Sequence, residues 1–191
     1  MSAPSSRRLR QSALVSINGV VSTPLAWAGP YFGAGSANHS LAVLRECGAF
    51  LMGRRTYEIF ARQWPGADGE YAAALNAIPK YVFSSTLDVA HWSNTTIVRA
   101  EVTTAVAALK SEAGRDLLCY GHGQFGQTVV DAGLVDELTL TVVPVFVDGE
   151  PFFRPVAGDQ AWELLSAGPG NDPGLATLSY RPAAPSPGVG R

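Results

Sequence analysis

Three short runs of this chain carry the residue types that handle phosphate. The first is Gly121-x-Gly123-x-x-Gly126, set between the apolar run Leu117–Tyr120 and a helical stripe of Phe125, Val129 and Val130. Glycines at a strand-to-helix turn let backbone N–H groups approach a pyrophosphate at the positive end of a helix dipole. The second is Gly53-Arg54-Arg55-Thr56, again between an apolar run (Ala49–Met52) and a helix. Two guanidinium groups at a helix N-terminus are unfavourable unless an anion accompanies them. The third, Ser84-Ser85-Thr86, ends the apolar run Tyr81–Phe83 with three hydroxyls. In a parallel sheet the carboxyl ends of the strands share one edge, so three such turns together suit a dinucleotide.

Taken alone, the first run with Asp148 about 20 residues beyond it matches the Rossmann fingerprint. Only 43 residues follow Asp148, rich in turns and strand patterns, which leaves nothing to build the second half of that fold. Other chemistries find less support. No Ser/His/Asp or Cys/His arrangement of recognisable spacing occurs, so a covalent nucleophile is not expected. Cys47 and Cys119 stand in apolar contexts without ligand spacing, and neither a disulfide nor a metal site is expected. His39, at the start of a helix, could donate a proton near neutral pH; the alternative is a solvated surface residue. His122 could contact the cofactor from between two glycines, and His91 reads as surface.

The elements that must position these residues alternate along the chain. Strands are expected at 12–17, 49–52, 81–83, 95–98, 117–120, 137–147, 162–166 and 176–180. Helices are expected at about 37–47 with a cap at Ser36 or Asn38, and from Gly53 to about Arg62. Another is capped by Asp68 and buries Tyr71, Leu75 and Ile78; two more carry Val102–Leu109, stopped by Gly114, and Phe125–Val130, stopped by Gly133. A Gly/Pro-rich loop of about 18 residues links the first strand to the first helix, and a loop that long is expected to be functional. The pattern predicts an α/β domain: a mostly parallel central sheet with helices on both faces and an antiparallel C-terminal edge. One reductase-sized domain fits 11–181, with flexible tails at 1–10 and 182–191.

Composition narrows the classes further. Of 191 residues, 47% are hydrophobic and 16% charged, with 14 basic against 16 acidic side chains. The formal charge of −2 and the absence of a basic run argue against nucleic acid as a partner. No apolar stretch approaches the roughly 20 residues of a membrane span, and no signal-peptide core opens the chain. A cytoplasmic protein with reduced thiols is expected.

The runs Ser16-Ile17-Asn18-Gly19-Val20-Val21, Leu51-Met52-Gly53-Arg54-Arg55-Thr56-Tyr57-Glu58, Lys80–Leu87, Asp116–Gly123 and Leu134–Leu138 occur in the order of a known family. Across residues 11–153 the chain resembles the dihydrofolate reductase-like family, in particular the C-terminal reductase domain of the bacterial riboflavin-pathway deaminase-reductase. The resemblance implies NADPH across the strand ends and hydride transfer to a pyrimidine- or pterin-like heterocycle or a carbonyl-type carbon of a small-molecule substrate. It implies that Gly53, Arg54, Arg55 and Thr56 hold the pyrophosphate and 2′-phosphate, that Ser84 and Ser85 line the adenosine, and that Gly121, His122, Gly123, Gln124 and Phe125 meet the phosphates and nicotinamide. Asn18, Trp27 and Tyr57 would lie near the substrate, with Asn18 and His39 the candidate catalytic residues. It also implies a homodimer paired through the apolar strand Leu138–Val147. Two residues depart from the family pattern: Asn18 where an Asp is usual, and Ser85 where a basic residue is frequent. Only Glu46, at the far end of the first helix, offers the acid that folate reduction requires, so folate is not the expected substrate. A nucleotide-binding module of the same fold without turnover, or a biosynthetic enzyme using the fold for a non-redox step, are the alternatives.

Overall fold

The computed structural model describes residues 6–152 and 160–184. Its strands are β1 (Leu9–Ser16), β2 (Cys47–Gly53), β3 (Lys80–Phe83), β4 (Thr95–Val98), β5 (Asp116–Tyr120), β6 (Glu137–Val143), β7 (Trp162–Pro169) and β8 (Ala176–Pro182). The helices are α1 (Pro24–Trp27), α2 (Ala34–Glu46), α3 (Arg54–Gln63), α4 (Glu70–Ala77), α5 (Val102–Ser111) and α6 (Gln124–Asp131). The eight strands form one sheet in the order β4-β3-β2-β5-β1-β6-β8-β7. All pairs from β4 to β6 are parallel, and β8 and β7 close the sheet as an antiparallel edge. The expected architecture is therefore the observed one.

Alternation along the strands sends residues to two cores. On one face Leu9, Ala13, Leu51, Leu117, Cys119 and Leu138 pack with Val106 of α5 and Phe125 and Val129 of α6. On the other, Phe50, Met52, Val82 and Leu118 meet Leu44, Tyr57 and Leu75 of α2, α3 and α4. β2 contributes to both, so its apolar run is continuous, as for a central parallel strand. A third, smaller cluster seats Ala28 on Val143 and Leu175, with Trp27, Tyr31 and Leu14 around it. Among the described residues no helix is long and apolar enough to cross a membrane, and no group of three His, Cys, Asp or Glu is placed to hold a metal.

Several local expectations are corrected. β1 begins at Leu9, which is fully buried, so residues 9 and 10 belong to the sheet rather than to a tail, as does Pro182 at the other end. Residues 1–5 and 185–191 of the expected tails lie outside the described residues. The long loop after β1 contains α1 and a 3-10 turn at Gly29–Tyr31. α2 starts at Ala34, with Gly33 and not Ser36 or Asn38 as its N-cap, and Gly69 rather than Asp68 precedes α4. α5 ends at Ser111, three residues before Gly114, and Pro144 follows the end of β6, which stops short of Val147. β6 is bonded on both sides, to β1 and β8, and an interior strand has no free edge to pair across a dimer.

Candidate functional site

β3, β2 and β5 are adjacent and parallel, so the turns after Phe83, Gly53 and Tyr120 lie on one edge of the sheet. Neither α3 nor α6 has a side-chain cap: their N-caps are Gly53 and Gly123. Their first-turn N–H groups consequently have no intrahelical acceptor. The two turns touch, because a Cβ built on Gly53 would stand 3.1 Å from Phe125 Cβ.

The three glycines of the turn after β5 do different work. Gly121 has φ of +86°, a conformation that favours glycine, and its N–H donates to Ser12 O at 2.7 Å. Gly126 allows close packing, since a Cβ there would meet Gln11 Nε2 at 2.7 Å and Gly121 O at 2.8 Å. A Cβ on Gly123, by contrast, would meet nothing within 4 Å. Backbone conformation explains Gly121 and packing explains Gly126, whereas Gly123 leaves backbone open at a helix N-terminus, where a phosphate can approach.

Cations gather at the same edge. Arg54 bonds Glu58 at 2.6 Å and Thr86 Oγ1 at 2.7 Å, tying the α3 turn to the turn after β3. Arg55 is exposed and lies 3.5 Å from Glu150. Ser84 Oγ accepts from the N–H groups of Thr86 and Leu87, which shapes its turn, and Ser85 is exposed. The sequence reading missed Arg99, just beyond β4, whose guanidinium donates to Ser85 O at 3.1 Å and Leu87 O at 2.8 Å. It places a cation beside the serine that stands where a basic residue was expected. No local motif signals it, because the link is made by the parallel pairing of β3 with β4.

Other expected residues are placed differently. Tyr57 is buried in the α3 core, its hydroxyl accepting from Trp92 N–H at 3.3 Å, so it offers nothing to a substrate. Phe125 stacks on Phe83 at 4.6 Å and presents only its backbone to the edge. The His122 ring is buried against Phe152; Nδ1 lies 3.0 Å from Gln11 Nε2 and Nε2 lies 2.9 Å from Gln127 Oε1. Because Gln11 Nε2 can only donate, His122 accepts at Nδ1 and donates from Nε2, a neutral tautomer that braces the turn from inside. Gln11 is thus a positioning residue that the sequence did not flag. Gln124 is exposed at the start of α6, and Thr56 is half-buried in the first turn of α3.

Asn18 is held at both its amide oxygen and its amide nitrogen. Its Oδ1 accepts from Ser16 Oγ at 2.7 Å and Val147 N–H at 3.2 Å, and its Nδ2 donates to Val147 O at 2.8 Å. It fastens the end of β1 to the segment after β6, where Val21 N–H to Glu150 O, Glu150 N–H to Ser22 Oγ and Phe152 N–H to Gly19 O continue the seam. Trp27 donates to Ser22 O and packs in the third cluster. His39 is exposed on α2, at the lining of a half-open groove of about 200 Å³ between that helix and the sheet. Asn18 does not line that groove, so the two candidate catalytic residues are not brought together.

Comparison with known proteins agrees with this architecture. The Bacillus subtilis (strain 168) protein YyaP, itself uncharacterized, is 27% identical over 116 residues, a match spanning 58% of this chain and 61% of that protein. The crystal structure of a Shewanella sp. PV-4 protein provisionally assigned to riboflavin biosynthesis superposes with a TM-score of 0.75 at 17% identity, covering 93% of this chain and 99% of the other. Dihydrofolate reductase from Enterococcus faecalis, solved with NADP(H), superposes with a TM-score of 0.61 at 15% identity, covering 93% and 97%. The fold is thus dihydrofolate reductase-like. The RibD C-terminal domain family matches residues 9–168, and the chain belongs to that family.

Proposed function

We propose that the protein is a reductase that binds NADPH along the edge formed by the turns after β3, β2 and β5 and transfers its hydride to a small heterocyclic or carbonyl-type substrate. The observation that carries this reading is the pair of touching, uncapped helix N-termini at Gly53 and Gly123, with Arg54, Arg55 and Arg99 on the same edge. Two helix dipoles and three guanidinium groups fit a pyrophosphate and a 2′-phosphate. Bound there, a reduced nicotinamide supplies the hydride. The chain's task is to hold the cofactor, position the substrate and exclude water. With the Asn18 amide engaged in the seam and His39 exposed on α2, water is the proton donor this reading favours.

The test is calorimetry of NADPH binding to the double variant Arg54→Ala, Arg55→Ala. Charge-assisted contacts are worth about 1.5–3 kcal/mol each, so affinity should fall at least about tenfold. An unchanged dissociation constant would refute the placement. A second reading, nucleotide binding without turnover, is favoured by the engagement of Asn18 and the burial of Tyr57. Absence of NADPH oxidation with every heterocyclic and carbonyl acceptor tried, alongside tight NADPH binding, would select it.

A further inference from the structure

Arg54 and Arg55 are consecutive, yet they leave α3 in opposite directions. Arg54 turns toward β3, where it meets Thr86, and its carboxylate partner, Glu58, is four residues on in its own helix. Arg99 donates to the carbonyls of Ser85 and Leu87 on that same side. Arg55 turns the other way: its Nη1 lies 3.5 Å from Glu150 Oε1, 95 residues along the chain. Of the three guanidinium groups on this edge, Arg55 is thus the one matched by a carboxylate from another element.

The strand order gives that contact its meaning. β5 lies between β2 and β1, and Glu150 belongs to the segment fastened to the chain leaving β1. Its N–H donates to Ser22 Oγ at 2.8 Å, its carbonyl accepts from Val21 N–H at 2.9 Å, and Pro151 beside it bridges Val20. Gly149 is required there, with φ of +150° and no room for a Cβ against Ser22 Oγ. Two residues further on, the Phe152 ring covers that of His122 at 4.2 Å. The ion pair therefore runs from the end of β2 to the seam at the end of β1, past the turn after β5. That is the turn whose Gly123 leaves backbone open to a phosphate.

A guanidinium held by a carboxylate is less available to a phosphate, so the two anions compete for Arg55. The pair is loose, with the Arg55 and Glu150 side chains 72% and 50% exposed. Exposed ion pairs are weak, whereas a pyrophosphate brings two charges and several acceptor oxygens to a guanidinium that can bind it through two N–H groups. The phosphates therefore displace the carboxylate. Because the backbone of Glu150 is fixed in the seam, the carboxylate stays within reach and re-forms the pair when the phosphates leave.

We propose that Glu150 is the internal counter-ion of Arg55 and sets the affinity for the cofactor, its carboxylate yielding the guanidinium to the pyrophosphate and reclaiming it on release. This inference rests on the cofactor reading and adds to it a residue outside the three glycine and serine turns. Since Arg55 lies on the β5 side of the edge, the effect falls on the pyrophosphate that NADPH and NADH share. The test is calorimetry of both nucleotides on the full chain as wild type, Glu150→Gln, Arg55→Ala and the double variant. Glu150→Gln keeps the side chain's length and its backbone bonds, so Tm should hold. Both nucleotides should bind it at least about threefold more tightly, with their affinity ratio unchanged. In the Arg55→Ala background the gain should shrink below about 1.5-fold, because the guanidinium competed for is gone. Unchanged or weaker binding in Glu150→Gln, a gain confined to one nucleotide, or an equal gain with and without Arg55 overturns this inference while nucleotide binding itself stands. No binding of either nucleotide by wild type and Glu150→Gln alike overturns the cofactor reading and this inference together.

Discussion

At Asn18 the choice between amide and acid is decided by a carbonyl. The side chain must donate to Val147 O while accepting from Val147 N–H, and only an amide does both at neutral pH. Asn18→Asp would set a carboxylate against that carbonyl and, at this exposed site, cost about 0.5–1.5 kcal/mol, the net worth of one hydrogen bond. Protonation would restore a donor, so the carboxyl's folded-state pKa should lie above its unfolded value. The variant should then be closest to wild type below the ordinary carboxylate range and lose stability as pH rises; denaturant melts at acid and neutral pH read this directly. Equal losses at both would show that the seam does not depend on the amide. Arg99 poses a second residue-scale question, because it brings to Ser85 the cation that the chain lacks at that position. Arg99→Gln should lower the preference for NADPH over NADH at least about fivefold, given the strength of a charge-assisted contact. Calorimetry with both nucleotides checks it, and an unaltered ratio would mean the 2′-phosphate is read by Arg54 and Arg55 alone. Such identities were only partly legible in the sequence. His122 and Tyr57 had suitable chemistry and suitable positions, but burial and partners decided their roles, and neither can be read from spacing.

α2 shows how an element can depend on a residue far away in the chain. Its N-terminus lacks a local cap, and its start is held instead by Asp172, in the turn between β7 and β8, which accepts from the N–H groups of Gly33, Gly35 and Ser36 at 2.8, 3.1 and 2.8 Å. Gly35 is required by the same approach, since a Cβ there would fall 1.9 Å from Asn171 O. Capping logic applied to the sequence pointed to Ser36 or Asn38 because the true cap is some 136 residues distant. The Ser36 hydroxyl first, then these amides, hold the Asp172 carboxyl at about 2. Unfolded, it titrates near 3.9. Because the folded value is the lower, its stabilising effect is complete above the unfolded value and disappears as pH falls toward about 2. Asp172→Asn should flatten that limb of the acid stability curve and speed amide exchange at Gly33, Gly35 and Ser36 even at neutral pH. Unchanged exchange at those three amides would sever the proposed link between the β7–β8 turn and α2.

For the molecule as a whole, the strand–helix alternation was enough to give a parallel sheet with an antiparallel edge, because each run's length and apolarity fixed its type. The spatial order was not readable from those runs, since pairing β5 with β1 joins segments more than 100 residues apart. That junction is where the two halves of the sheet meet, and α6 lies across it with Gly126 against Gln11 and Gly121. The glycine turn therefore serves packing at one end and an open approach at the other, and two substitutions separate these roles. Gly126→Ala would force its Cβ to within 2.8 Å of the Gly121 carbonyl, pushing α6 off the sheet. Overpacking of this kind costs about 1–3 kcal/mol and should lower Tm by several degrees. Gly123→Ala meets open space at a φ of −76°, which alanine adopts freely, so Tm should change little. It would, however, place a methyl where a pyrophosphate must approach the backbone, and NADPH affinity should fall at least about tenfold while the fold is retained. Thermal melts of both variants with and without NADPH make the comparison. If Gly123→Ala keeps both its Tm and its full stabilisation by NADPH, the open side of the turn is not where the phosphates bind.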